Sequence, residues 1–162
     1  MSKSADFTKL IKQHEGILYK LSNAYADRPE ERQDLYQEMV YQLWKSFDSF
    51  KGNSSWSTWM YRVALNTAIK YLKLQKRKPD DQQLIPELHR IIEEQDALMD
   101  ERTQYLYAQI RQLGEVNRAI VLLYLDGKSY EEIGQITGYS PSNIGTRLNR
   151  IKAQMRANKP QH

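Results

Sequence analysis

A chain of 162 residues with a net charge of +4 is long enough to bury a core and short enough to hold two small domains of unequal character. It contains no cysteine, which excludes a disulfide framework or a thiolate metal site and fits a reducing compartment. No stretch approaches the roughly 18 apolar residues of a membrane span, and MSKSADFTKLIKQHEG lacks a signal-peptide apolar run, so a soluble, cytoplasmic protein without membrane insertion is expected.

Helical periodicity dominates and strict apolar/polar alternation is absent, which predicts an all-α chain. A first helix is expected from Phe7 to about Ala24, burying Leu10, Ile11, Ile17, Leu18 and Leu21. The next opens near Pro29 and runs to about Phe47. Its inner stripe is Leu35, Met39, Leu43 and Phe47, and Asp34, Gln37, Glu38 and Tyr41 fall on a neighbouring outer face. The segment DSFKGNSSWS breaks the pattern before a long helix from Thr58 to about Lys76. On that helix Arg62, Asn66, Lys70 and Lys73 follow one face, a spacing that suits a phosphate backbone, with a merely solvated basic face as the alternative.

Charge then changes sign along the chain. Trp59 to Lys78 holds six cations and no acid, whereas Pro79 to Glu101 holds eight acids against Arg90. Pro79, Pro86 and this acidity mark residues 78–100 as a linker, with Leu88, Ile91, Ile92 and Leu98 spaced for a short helix inside it. Two basic surfaces separated by an acidic connector point to two nucleic-acid contacts on one chain.

Past the linker, EVNRAIVLLYLD supplies a supporting helix with Val116, Ile120, Leu123 and Tyr124 on one face and Gly127 to close it. Ser129 and Glu132 form a capping-box pattern, and Gly138 stands where a tight turn needs a positive φ. Ser140 and Pro141 suit the N-cap and first position of a second helix, whose inward stripe is Ile144, Leu148, Ile151 and Met155. Its other face carries Ser142, Asn143, Thr146, Arg147, Asn149 and Arg150, and no acid occurs from 139 to 162. The whole is a helix-turn-helix pattern with a face suited to DNA.

Catalytic and metal chemistry find no footing. Gly127-Lys128-Ser129 resembles the end of a phosphate-binding loop, but Leu122 stands where that motif needs glycine and no strand precedes it. His14, His89 and His162 lack metal-ligand spacing, and no triad or nucleotide fingerprint stands out, so no cofactor, no metal and no enzyme activity is expected.

DLYQEMVYQLW (Asp34 to Trp44) together with FDSFKGNSSWSTWMYRVALNTAIKYLKLQKRK (Phe47 to Lys78) resembles region two of bacterial sigma factors, and the helix-turn-helix block resembles region four. The short two-domain form is similar to the extracytoplasmic-function (ECF) branch. The resemblance implies domains at 5–77 and 101–158 around the 78–100 linker. It also implies a chain that binds core RNA polymerase and promoter DNA and is itself bound by an anti-sigma protein. Polymerase binding would fall to Asp34, Gln37, Glu38 and Tyr41. Minus-ten recognition would use Lys51, Asn53, Ser54 and Trp56 to capture an unpaired base, with Arg62, Asn66, Lys70 and Lys73 on the long helix. Minus-thirty-five recognition would use Ser142, Asn143, Thr146, Arg147, Asn149 and Arg150 in the major groove.

Trp59 is expected in the core, whereas Trp56 suits a base-stacking wall and a core position equally. Three glycines depart from the family pattern: Gly134 replaces a usual Ala, Gly145 a frequent basic residue and Gly114 a frequent Pro; Gly145 is expected to permit close approach to the DNA backbone. The alternatives left open are a stand-alone helix-turn-helix transcriptional regulator and a helical adaptor that never touches DNA.

Overall fold

The computed structural model describes residues 2–74 and 86–158. These fold into nine α-helices with no strand among the described residues: α1 (Lys3–Gln13), α2 (Glu15–Tyr25), α3 (Pro29–Ser46), α4 (Trp56–Leu74), α5 (Pro86–Ala97), α6 (Glu101–Ile110), α7 (Glu115–Leu125), α8 (Tyr130–Thr137) and α9 (Pro141–Ala157).

The single first helix expected from periodicity is two. A continuous helix would carry His14 on the same stripe as Phe7, Leu10, Leu18 and Leu21, so the polar ring would enter the core. Instead the backbone departs from helical geometry at His14 (φ −122°, ψ 20°), which leaves the ring half-buried with Nδ1 3.1 Å from the Leu10 carbonyl. Pro29 opens α3 at its first position, where the missing N–H costs nothing, and Leu35, Met39 and Leu43 are fully buried as the stripe required. Each such leucine contributes about 1.5–3 kcal/mol by leaving water. The Ser55 hydroxyl accepts from the Thr58 amide at 3.1 Å and starts α4.

The second half of the sequence-defined linker is ordered as α5, which docks on α3 with Ile92 buried. Leu98, expected on that helix's apolar face, lies beyond its end and is 88% exposed. Pro79 and the acids Asp80 and Asp81 lie outside the described residues. The Asp100 carboxylate then caps α6 by accepting from the Thr103 amide at 2.8 Å.

Helix α7 is central to the molecule. Sequence periodicity assigns it one apolar face, but Ala119, Val121 and Leu122 are buried along with Ile120 and Leu123, because α7 packs on α8 and α9 on one side and on α2 and α4 on the other. The two domains therefore close on each other through a continuous apolar core, and polar contacts tie the joint as well. The Tyr61 hydroxyl of α4 donates to Asp126 at 2.8 Å, and Lys20 of α2 pairs with the same carboxylate at 2.9 Å. Arg111 reaches back to the Asn23 carbonyl at 2.8 Å and to Asp27 at 2.9 Å; Arg118 donates to the Ala24 carbonyl, and Tyr25 donates to the Glu115 carbonyl. Burial pulls the pKa of both arginines down, with neighbouring carboxylates opposing it. These contacts explain why the last turns of α2, including Ser22 and Asn23, are buried all round although their sequence is not uniformly apolar.

Candidate nucleic-acid interface

In the helix-turn-helix, the Ser129 hydroxyl accepts from the Glu132 amide and the Glu132 carboxylate accepts from the Ser129 amide, each at 3.1 Å. These hydrogen bonds hold the Glu132 carboxyl below its ordinary pKa. Gly138 adopts φ 89° at the turn. Ser140 then caps α9 by accepting from the Asn143 amide at 3.2 Å. Ile144, Leu148 and Ile151 are buried and Met155 is half-buried, so the stripe holds. Ser142, Asn143, Thr146, Asn149 and Arg150 are exposed together on the opposite face, while Arg147 is half-buried. Gly145 faces the Tyr130 ring: a Cβ there would lie 3.3 Å from Tyr130 Cε2, so its missing side chain makes room within the protein rather than for DNA backbone.

Around α4 the expected residues divide. Lys51 and Asn53 are exposed in the loop and Ser54 is half-buried, but Trp56 begins the helix itself. Its ring stacks on Phe50 with centroids 3.9 Å apart and meets Trp59 edge-on at 5.6 Å, yet it remains 38% exposed. Trp59 is buried in the same aromatic cluster, as expected. Arg62, Asn66, Lys70 and Lys73 are all exposed on one face of α4. Two of them are engaged by the second domain: Arg62 donates to the Gln135 carbonyl of α8 at 3.2 Å, and Lys73 lies 3.6 Å from the Glu115 carboxylate. Leu74 is 56% exposed at the end of the helix.

The outer row of α3 forms a ridge between two grooves. Asp34 and Glu38 line the groove shared with α4, opposite Asn66 and Lys70. Gln37 and Tyr41 line the other, against Phe7 of α1 and Val40 and Trp44 of α3. The four residues thus share an edge but not a pocket, and Tyr41, at 54% exposure, is the most prominent apolar group on it. Acid on one helix facing base on the next gives the α3/α4 groove a split polarity.

The sequence reading missed the residues that join the domains. Tyr61, Lys20 and Asp126 are separated by 65 and 106 positions, so no local pattern could have linked them. Lys128, read only as part of a false phosphate loop, donates to Ser57 at 3.0 Å across the same joint.

A small all-helical molecule whose second domain exposes an acid-free reading helix, and whose first presents a basic helix face beside an aromatic-walled loop, is a two-domain DNA-binding protein by construction. Residues 10–78 match the sigma-70 region 2 family and residues 103–155 match sigma-70 region 4. The chain is 30% identical over 158 residues to the ECF RNA polymerase sigma-E factor of Haemophilus influenzae, covering 90% of this chain and 83% of the relative. It is 32% identical over 131 residues to that of Escherichia coli K12, covering 74% and 69%.

Two solved structures share the fold. One is the sigma factor RpoE in complex with the anti-sigma factor NepR from Bartonella quintana (TM-score 0.67, 18% identity, 94% of this chain and 95% of that one). The other is CnrH in complex with the cytosolic domain of CnrY (TM-score 0.63, 17% identity, 98% and 92%). The chain belongs to the ECF sigma factors of RNA polymerase. It directs transcription initiation, and the pairing of regions two and four does not favour the stand-alone regulator. Among the described residues no helix is long and apolar enough to cross a membrane.

Proposed function

We propose that this chain recruits core RNA polymerase and gives it two promoter contacts, one from residues 5–77 and one from residues 101–158, while residues 78–100 connect them. The ridge of Asp34, Gln37, Glu38 and Tyr41 meets the polymerase, its carboxylates and amide offering hydrogen bonds beside an exposed aromatic ring. Lys51, Asn53, Ser54 and Trp56 receive an unpaired base of the minus-ten element: the exposed part of Trp56 supplies a wall, and stacking of this kind contributes about 1–3 kcal/mol per base. Arg62, Asn66, Lys70 and Lys73 follow the adjoining backbone. Helix α9 enters the major groove over the minus-thirty-five element with Ser142, Asn143, Thr146, Arg147, Asn149 and Arg150 towards the bases and phosphates.

The observation that carries this reading is the exposed, acid-free face of α9 backed by the buried Ile144, Leu148 and Ile151. The chain works in the cytoplasm and performs no reaction itself. As in the complex of a structural neighbour with the anti-sigma factor NepR, an anti-sigma protein is the expected further partner. Run-off transcription on genomic fragments with purified core polymerase tests the whole. Lys73→Ala and Arg147→Ala should each reduce promoter-specific transcripts while leaving the chain bound to the polymerase, and Asp34→Lys with Glu38→Lys should abolish that binding. If the unsubstituted chain neither associates with the polymerase nor changes its start sites, the proposal fails.

A further inference from the structure

Arg147 differs from every other candidate on the α9 face because three elements hold its guanidinium. Its Nε donates to Asn143 Oδ1 one turn earlier on α9 at 2.9 Å. Its Nη1 donates to Asn117 Oδ1 on α7 at 3.1 Å. Its Cζ lies 4.4 Å from the ring centroid of Tyr139, the residue that follows the turn glycine. Among the described residues Arg150, three positions on, has no such clamp and is exposed.

A long side chain otherwise free to sample many rotamers is therefore fixed in place, with its Nη2 donors still available to a phosphate oxygen or a base acceptor. Asn143 is committed by the same geometry. The amide oxygen that accepts from Arg147 keeps its second lone pair, so the orientation in which Asn143 can meet a base edge is set by Arg147.

We propose that Asn117 and Tyr139 are positioning residues for minus-thirty-five recognition: from the supporting helix and the turn they orient the Arg147 guanidinium, and Asn143 and Arg147 act on DNA as one unit. This rests on the assignment of α9 to the minus-thirty-five element. Ordering the arginine before DNA arrives removes an entropic cost from binding without adding a contact. Asn117 thus affects DNA binding only through Arg147.

The test uses the full chain as holoenzyme with core polymerase and a pool of duplexes of randomised sequence sorted by binding. Affinity is then measured on the duplex that the unsubstituted protein enriches most. Asn117→Ala and Tyr139→Leu should each weaken binding about three- to tenfold, in the lower part of the range of coupling between contacting residues, and should blur base preference at one upstream position. Tyr139→Phe, which keeps the ring, should bind normally. In an Arg147→Ala background, Asn117→Ala should add no further loss. The salt dependence should fall by about one phosphate contact for Arg147→Ala and remain unchanged for Asn117→Ala, which keeps the charge.

Equal loss from Asn117→Ala with and without Arg147 overturns the proposal in favour of simple fold support. So does unchanged affinity in Asn117→Ala when Arg147→Ala is impaired. Should Arg147→Ala itself leave affinity and base preference intact, the assigned role of Arg147 on α9 fails together with the positioning role, and this result is distinct from the other two.

Discussion

At Gly134 two opposing effects can be compared by magnitude. Alanine in a helix interior gains about 1 kcal/mol over glycine. A Cβ at this position, however, would sit 2.6 Å from the Tyr139 carbonyl oxygen, a backbone atom fixed by the helix-turn-helix turn. Gly134→Ala should therefore lower the thermal midpoint in spite of its helix propensity, and a rise in the midpoint on calorimetry would show that the turn yields. The departure from the family's usual alanine, visible in the sequence only as an oddity, is thus explained by a close approach in space.

Five tyrosines give a second test at this scale. Burial, aided by nearby carboxylates, pushes Tyr36 and Tyr107 up to about 12 and raises Tyr19, Tyr25 and Tyr61 further. The fold favours the neutral phenol, so their contribution is fully present below the ordinary value of about 10 and is lost as pH rises towards the folded values. Tyrosinate absorbance should show part of the 11 tyrosines ionising only in a cooperative step that coincides with loss of helical circular dichroism. One smooth titration near pH 10 with the helices intact would contradict it.

At the scale of elements, α8 has only eight residues, too few to be stable alone, so its ends and its packing determine whether it exists. Both halves of the capping box are formed, and Ile133 is its one buried residue. Ser129→Ala should cost about 1 kcal/mol in denaturant unfolding, with little change if the cap contributes nothing. The helix-turn-helix was readable from sequence because its signals are local: cap, turn glycine, N-cap, proline and a stripe all fall within one short stretch. Helices α1 and α2 look like one in the sequence because their stripe runs through His14 without a break in period, and only the packed core shows that an imidazole cannot continue it. Trp56 was ambiguous for a comparable reason, since its place at the rim of an aromatic cluster depends on Phe50 and Trp59 together.

Across the whole molecule, the packed form and the proposed task conflict in length. A compact chain of this size has a radius of gyration of about 15 Å and hence a diameter of about 40 Å. Elements centred about 25 base pairs apart are separated by about 85 Å of duplex. Domains that contact both must part, and the parting breaks the Asp126 hydrogen bonds. Burial opposes ionisation of Asp126, but hydrogen bonds from Lys20 and Tyr61 outweigh it and hold its pKa below the ordinary value.

The latch is therefore present above about pH 4 and weakens as pH falls through the depressed folded value. Asp126→Ala should raise the radius of gyration measured by small-angle scattering while the helix content is retained, and an unchanged radius would show that the remaining joint contacts suffice. The helical class, the helix-turn-helix and most of the exposed candidate residues are legible along the chain, because amphipathic period, caps and turn residues act over a few positions. The closing of the domains on each other, the burial of α7 on two sides, and the holding of Arg62, Lys73 and Arg147 emerge only in three dimensions. Those outcomes depend on contacts between residues tens of positions apart, whose partners are selected by packing and by the need to satisfy polar groups at the joint.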